Sequence, residues 1–99
     1  MKKKSKNPIL IPPNILTIYP NPIKANNIFN VNFSKKLENN QVIEIFSAEG
    51  NLVQKENIAV TKKTNSASFL LKDLSKGFYI LSVTDSKTNE KISKEFIVQ

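Results

Sequence analysis

The sequence predicts an all-β protein, an antiparallel β-sandwich of about seven short strands. Three observations carry this. From Leu16 onward apolar residues recur with a period of two, the repeat of a strand with one buried face. Turn-forming residues punctuate that alternation at short intervals, and all five prolines fall outside the alternating stretches, where they delete no ladder hydrogen bond. No long apolar helical pattern competes. Ninety-nine residues, 39% of them hydrophobic, suffice for one domain with one thin core.

The elements follow in chain order. Residues 1–14 read as a basic, disordered linker, and 15–99 as the domain. The first apolar run, from Leu16, ends in YPNP, Tyr19 to Pro22. Each proline fixes φ near about −65° and biases the residue before it toward extended backbone, so Tyr19 and Asn21 are expected to be held stretched where the linker meets the sandwich. A plain strand cap that blocks edge pairing is the simpler and compatible account. NIFNVNF sets Phe29, Val31 and Phe33 on one face and Asn30 and Asn32 on the other, and SKKLENN then reads as a turn. QVIEIFSAEGNLVQKE is a β-hairpin in which Ile43 and Ile45 alternate with Glu44, and Gly50-Asn51 can take the positive φ of its corner. VTKKTNS reads as a polar loop, ASFLLKDL as a short strand carrying Phe69 and Leu71, and Gly77 as another corner. In FYILSVTD, Tyr79, Leu81 and Val83 share a face while Phe78 and Ile80 make the other partly apolar, as in a central strand covered on both sides. KISKEFIVQ alternates Ile92, Lys94, Phe96 and Val98, so the chain is expected to end inside a strand.

Composition excludes much chemistry. With neither cysteine nor histidine there are no disulfides, thiolate nucleophiles, imidazole acid/base groups or zinc sites of the usual kinds. Among the carboxylates Glu44, Glu49, Glu56, Asp73, Asp85, Glu90 and Glu95, most flank turns or point outward, as solvated charges do. Asp73 and Asp85 lie at strand ends where calcium could bind, but a turn aspartate more often bonds its own backbone. The Ser-Lys dipeptides at Ser5, Ser34, Ser75 and Ser93 are the chance product of many lysines, and no glycine-rich turn offers an oxyanion hole. No catalytic residue, metal site or cofactor is expected.

The net charge of +7 falls to +3 once Lys2, Lys3, Lys4 and Lys6 are set aside, and all fifteen basic residues are lysine. Without arginine forks, and with Phe29, Phe33, Phe69, Tyr79 and Phe96 in inward register, specific nucleic-acid binding is not expected. The opening MKKKSKNPILIPPNIL has the charged head of a signal peptide, but Pro8, Pro12 and Pro13 interrupt too short an apolar stretch, and no cleavage site follows. Neither an export leader nor a transmembrane segment is expected from these residues.

The order and spacing of the run into YPNP, then IEIFSAEGNLV, LSKGFYILSVTD and the closing KEFIVQ resembles the type A C-terminal sorting domain of the type IX (Por) secretion system of Bacteroidota. The resemblance spans about residues 16–99. It implies an Ig-like sandwich that catalyses nothing, carried at the C-terminus of a secreted cargo and recognised at the outer-membrane translocon, with a sortase-like peptidase then removing it. Cargo and domain would be secreted or held at the cell surface by way of the periplasm and outer membrane. The sorting-motif residues it implies are Tyr19, Pro20, Asn21, Pro22, Gly50, Gly77, Tyr79, Lys94, Phe96, Ile97, Val98 and Gln99, the two glycines shaping turns and Lys94 to Gln99 forming the terminal strand. A free-standing Ig-like adhesion or carbohydrate-binding module is the alternative. The absence of tryptophan, and the placing of both tyrosines in YPNP and an inward register, weigh against sugar platforms.

Overall fold

A computed structural model describes residues 15–99, so the expected linker at 1–14 lies outside the described residues. Seven strands form: β1 (Leu16–Tyr19), β2 (Ile28–Leu37), β3 (Gln41–Ser47), β4 (Leu52–Ile58), β5 (Thr64–Leu70), β6 (Gly77–Asp85) and β7 (Lys91–Val98). They build two antiparallel sheets, β1-β2-β5 and β4-β3-β6-β7. Among the described residues there is no helix, and none that could cross a membrane.

Alternation translates directly into burial. Phe29, Val31 and Phe33 of β2 face Ile43 and Ile45 of β3 and Tyr79, Leu81 and Val83 of β6 across the sandwich, and each is buried. Phe96 joins the layers: its ring lies 4.7 Å from Phe29 and 5.7 Å from Tyr79, on which it stacks. Phe29 in turn meets Phe69 edge-on at 5.9 Å. Four aromatic rings thus span both sheets, at separations where ring pairs add to simple area burial.

The β3–β4 corner is a tight loop. The Gly50 N–H donates to the Ser47 carbonyl at 2.9 Å, and the Ser47 N–H donates to the Asn51 carbonyl at 2.9 Å. Gly50 sits at φ 91°, a left-handed conformation that a Cβ would strain although the space around it is open. Past the loop β4 is irregular. Ile45 faces Gln54 and Phe46 faces Leu52, which leaves Val53 as an extra residue in the ladder.

Four expectations need correcting. SKKLENN is not all turn: β2 runs on to Leu37, which is buried, with its register against β5 shifting between Asn32 and Leu37. The lysines conceal this extension, because Lys35 and Lys36 point to solvent on the irregular stretch. The polar loop is shorter than expected, since β5 starts at Thr64 on an edge where polar side chains cost nothing, and Leu71 is buried just beyond its end. Gly77 is the first residue of β6, paired with Val98, and not a corner before it. Lastly, β6 is central in its sheet, yet among the described residues nothing covers its outer face: Phe78 and Ile80 are 47% and 36% exposed.

Because Phe96 touches rings from both sheets, Phe96→Ala is expected to cost about 3–5 kcal/mol in chemical denaturation. A loss under about 1 kcal/mol would mean that the aromatic bridge does not hold the layers together.

Candidate functional site

YPNP and the end of the chain, 76 residues apart at their contact, are one structure. After Tyr19 the chain leaves the first sheet and crosses to the outer edge of β7, where Ile23 pairs in parallel with Val98. Ile23 N–H donates to the Ile97 carbonyl at 2.9 Å, and Gln99 N–H donates to the Ile23 carbonyl at 2.8 Å. Between them, Ile97 N–H donates to the side-chain Oδ1 of Asn21 at 3.1 Å. Ile23 itself is 1% exposed and belongs to the core. The first strand and its continuation therefore serve both sheets, closing the sandwich along one side. The Tyr19-Pro20 and Asn21-Pro22 peptide bonds are both cis.

The other implied motif residues gather around this clasp, with two exceptions. Tyr79 faces Phe96 across the β6–β7 ladder, and its hydroxyl donates to the Ser75 carbonyl at 2.7 Å, the polar end of an otherwise buried ring. Gly77 pairs with Val98, and Phe78 with Ile97. Phe96 and Val98 point into the core while Ile97 and Gln99 point out. Tyr19 lies on the outer face of the first sheet, where its carbonyl accepts from the Asn30 side chain at 3.2 Å. The exceptions are Gly50, which shapes the β3–β4 corner, and Lys94, exposed opposite Leu81 nearer the middle of β7.

Two features escaped the sequence reading. One is an apolar stripe across the outer face of the four-stranded sheet. Leu52 and Val53, brought to the same face by the irregularity in β4, adjoin Phe46; Phe46 pairs with Ile80, and the Phe78–Ile97 pair lies beside them. Leu52 is 49% exposed and Ile97 44%. The apolar second register of β6, Phe78 and Ile80, belongs to this exposed stripe and not to a covered face. The other feature is Gln54, buried in β4, whose side chain donates to the Leu70 carbonyl at 3.0 Å and accepts from Lys72 N–H at 2.9 Å. It closes the sandwich on the side opposite the clasp.

At the far end, Asp85 is an anchor for the surrounding turn. Its carboxylate accepts from Lys87 N–H at 2.8 Å, Thr88 N–H at 2.9 Å, and the side-chain amides of Asn39 and Gln41. Among the described residues no three acidic groups assemble as a metal site would require. Desolvation alone would raise the Asp85 carboxyl. The N–H groups of Thr88 and Lys87 and the amides of Asn39 and Gln41 outweigh it, and lower it from 3.8 to about 2.

The described residues thus form an antiparallel β-sandwich whose conspicuous residues join its first strand to its last. The chain belongs to the family described as "Secretion system C-terminal sorting domain", whose model matches residues 17–99. Domains of this family are C-terminal sorting signals of the type IX secretion system, which carries proteins through the outer membrane to the cell surface. No curated protein matches the chain. Among solved structures it is similar to PorZ, described as an essential bacterial surface component of the type-IX secretion system of human oral-microbiomic Porphyromonas gingivalis. The TM-score is 0.61 at 16% identity, over 85% of this chain and 11% of that one, a likeness of fold. The chain thus spans about a tenth of that protein's length.

The depressed Asp85 value has a consequence with a definite sign. A carboxyl held below its ordinary value stabilises the fold above about pH 4, and that contribution is lost as pH falls toward 2. Asp85→Asn is expected to flatten this part of the stability profile, read as denaturation midpoint against pH. An acid limb identical to that of the parent chain would exclude Asp85 as its source.

Proposed function

We propose that this chain is a non-catalytic type A sorting domain, comprising residues 15–99 behind a linker at 1–14. It directs an attached cargo from the periplasm through the outer membrane by way of the type IX translocon of a member of the Bacteroidota. The implied partners are that translocon and a sortase-like peptidase that removes the domain. The observation that carries the proposal is the family match over nearly all of the folded chain, met by a clasp that unites its two motif ends. The terminal strand supports the role in a physical way. Its alternation commits Phe96 and Val98 to the core and leaves Ile97 and Gln99 outward, where a receptor can touch them, while Lys94 is exposed although it shares the register of Phe96.

The apolar stripe fits the same reading. Exposed apolar patches on small domains mark surfaces that meet other proteins, and this one is continuous with Ile97 through Phe78. It favours a protein receptor over the adhesion or carbohydrate-binding alternative, since its members are mainly aliphatic and lack the hydrogen-bonding groups that orient a sugar.

The test is to fuse residues 15–99 behind a periplasm-exported reporter in cells with and without a working type IX apparatus. Reporter on the surface or in the medium only in the competent cells is the expected result; equal release in both, or in neither, would refute the proposal. Deleting Phe96 to Gln99 is expected to abolish release. Because that deletion also removes core residues, Phe78→Ser supplies the surface counterpart. It is expected to reduce release severalfold while changing stability by under about 1 kcal/mol, the range of ordinary surface substitutions.

A further inference from the structure

We infer that Asn21 is a positioning residue of the sorting signal: its side-chain carbonyl fixes the chain's last residues against the segment that enters the domain, so that the two ends are recognised as one unit. This rests on the sorting function proposed above.

The argument starts from what the crossing segment can offer. A strand pairing with the outer edge of β7 must accept from the outward N–H groups and donate to the outward carbonyls. The first task falls at Ile97 N–H and at Gln99 N–H, the second at the Ile97 carbonyl. Ile23 supplies one donor and one acceptor from its own backbone, and these satisfy the Ile97 carbonyl and Gln99 N–H. Pro20 and Pro22 have no N–H to give. At Ile97 N–H the acceptor is the Asn21 side chain, at 3.1 Å. The Asn21 amide thus extends, by one rung, a ladder that the crossing backbone completes only at Ile23.

Ile97 is the one residue of the terminal strand bonded to the crossing segment through both its N–H and its carbonyl. Its own side chain is outward and next to Phe78. Losing the rung would leave Ile23 buried and the fold intact, but free the backbone at Ile97 to move. The neighbours Phe96 and Val98 provide an internal control, because their N–H groups turn toward β6 and not toward Asn21.

The side-chain chemistry permits a clean test in the full 99-residue chain. Asn21→Ala removes the acceptor, whereas Asn21→Asp keeps an oxygen in the same place. Amide exchange by NMR is expected to rise roughly fivefold at Ile97 in Asn21→Ala, the consequence of losing one exposed hydrogen bond, with Phe96 and Val98 unchanged. Asn21→Asp is expected to restore protection at neutral pH. The same variants fused to the exported reporter are expected to follow suit, with release reduced for alanine and retained for aspartate. Unchanged exchange at Ile97 in the alanine variant would overturn the inference. So would alanine-variant release equal to that of the parent, or aspartate failing to rescue release while protecting Ile97. Release of the parent fusion from cells lacking the type IX apparatus would instead count against the sorting function, whatever the exchange at Ile97.

Discussion

A sandwich of two small sheets is stable only if its sides are shut, and in this protein the decisive closure is the passage of one chain segment from the first sheet to the second. Four strand edges border the two layers, β1 and β5 on one sheet, β4 and β7 on the other. Ile23 brings the continuation of β1 onto β7 and buries its own side chain in doing so. On the opposite side Gln54 ties β4 to the chain leaving β5 with one side-chain amide. The first closure is made of backbone pairing and core burial, the second of a polar bridge. The aromatic group of Phe29, Phe69, Tyr79 and Phe96 shares β7 with the first.

That division explains why proline-rich sequence occurs where it does. A strand that changes sheets passes through a stretch in which its backbone belongs to neither ladder, and each N–H there needs an acceptor or water. Proline removes the need, since it has no N–H. In YPNP two of four residues are of this type, and the Tyr19 carbonyl, left behind at the end of β1, is taken by the side chain of Asn30. Asn30 also accepts from Ser68 of β5 at 2.9 Å, so one asparagine links the three strands of the first sheet across its outer face.

Much of this was legible in the sequence because period-two alternation is a direct statement about burial. The inward sets of β2, β3 and β6, and the inward pair Phe96 and Val98, could all be written down from the pattern. Alternation says which side chains share a face, but not whether that face is covered, which is why Phe78 and Ile80 suggest a cover that the described residues do not supply. The extension of β2 through Lys35 and Lys36 was hidden for a related reason: an irregular strand end breaks the period that would reveal it. YPNP was recognisable as a rigid element, yet its partner was not, since nothing local at Asn21 points to Ile97. Contacts between remote edge strands are fixed by topology, and the same residues in another strand order would meet something else.

The terminal strand shows how one short stretch can hold a fold together and remain available to a receptor. Alternation divides it residue by residue: Phe96 and Val98 turn inward, while Ile97 and Gln99 turn outward. The backbone between them is committed as well, to β6 on one side and to Ile23 and Asn21 on the other. In the last three residues of the strand's pairing, therefore, what is left for recognition is side chains on a fixed frame. On the reading proposed above, the signal would be recognised only when the domain is folded, because the spacing of Ile97 and Gln99 relative to Phe78 is a product of the ladder. Folding and sorting would then be coupled with no switch or moving part, through the geometry of strand pairing alone.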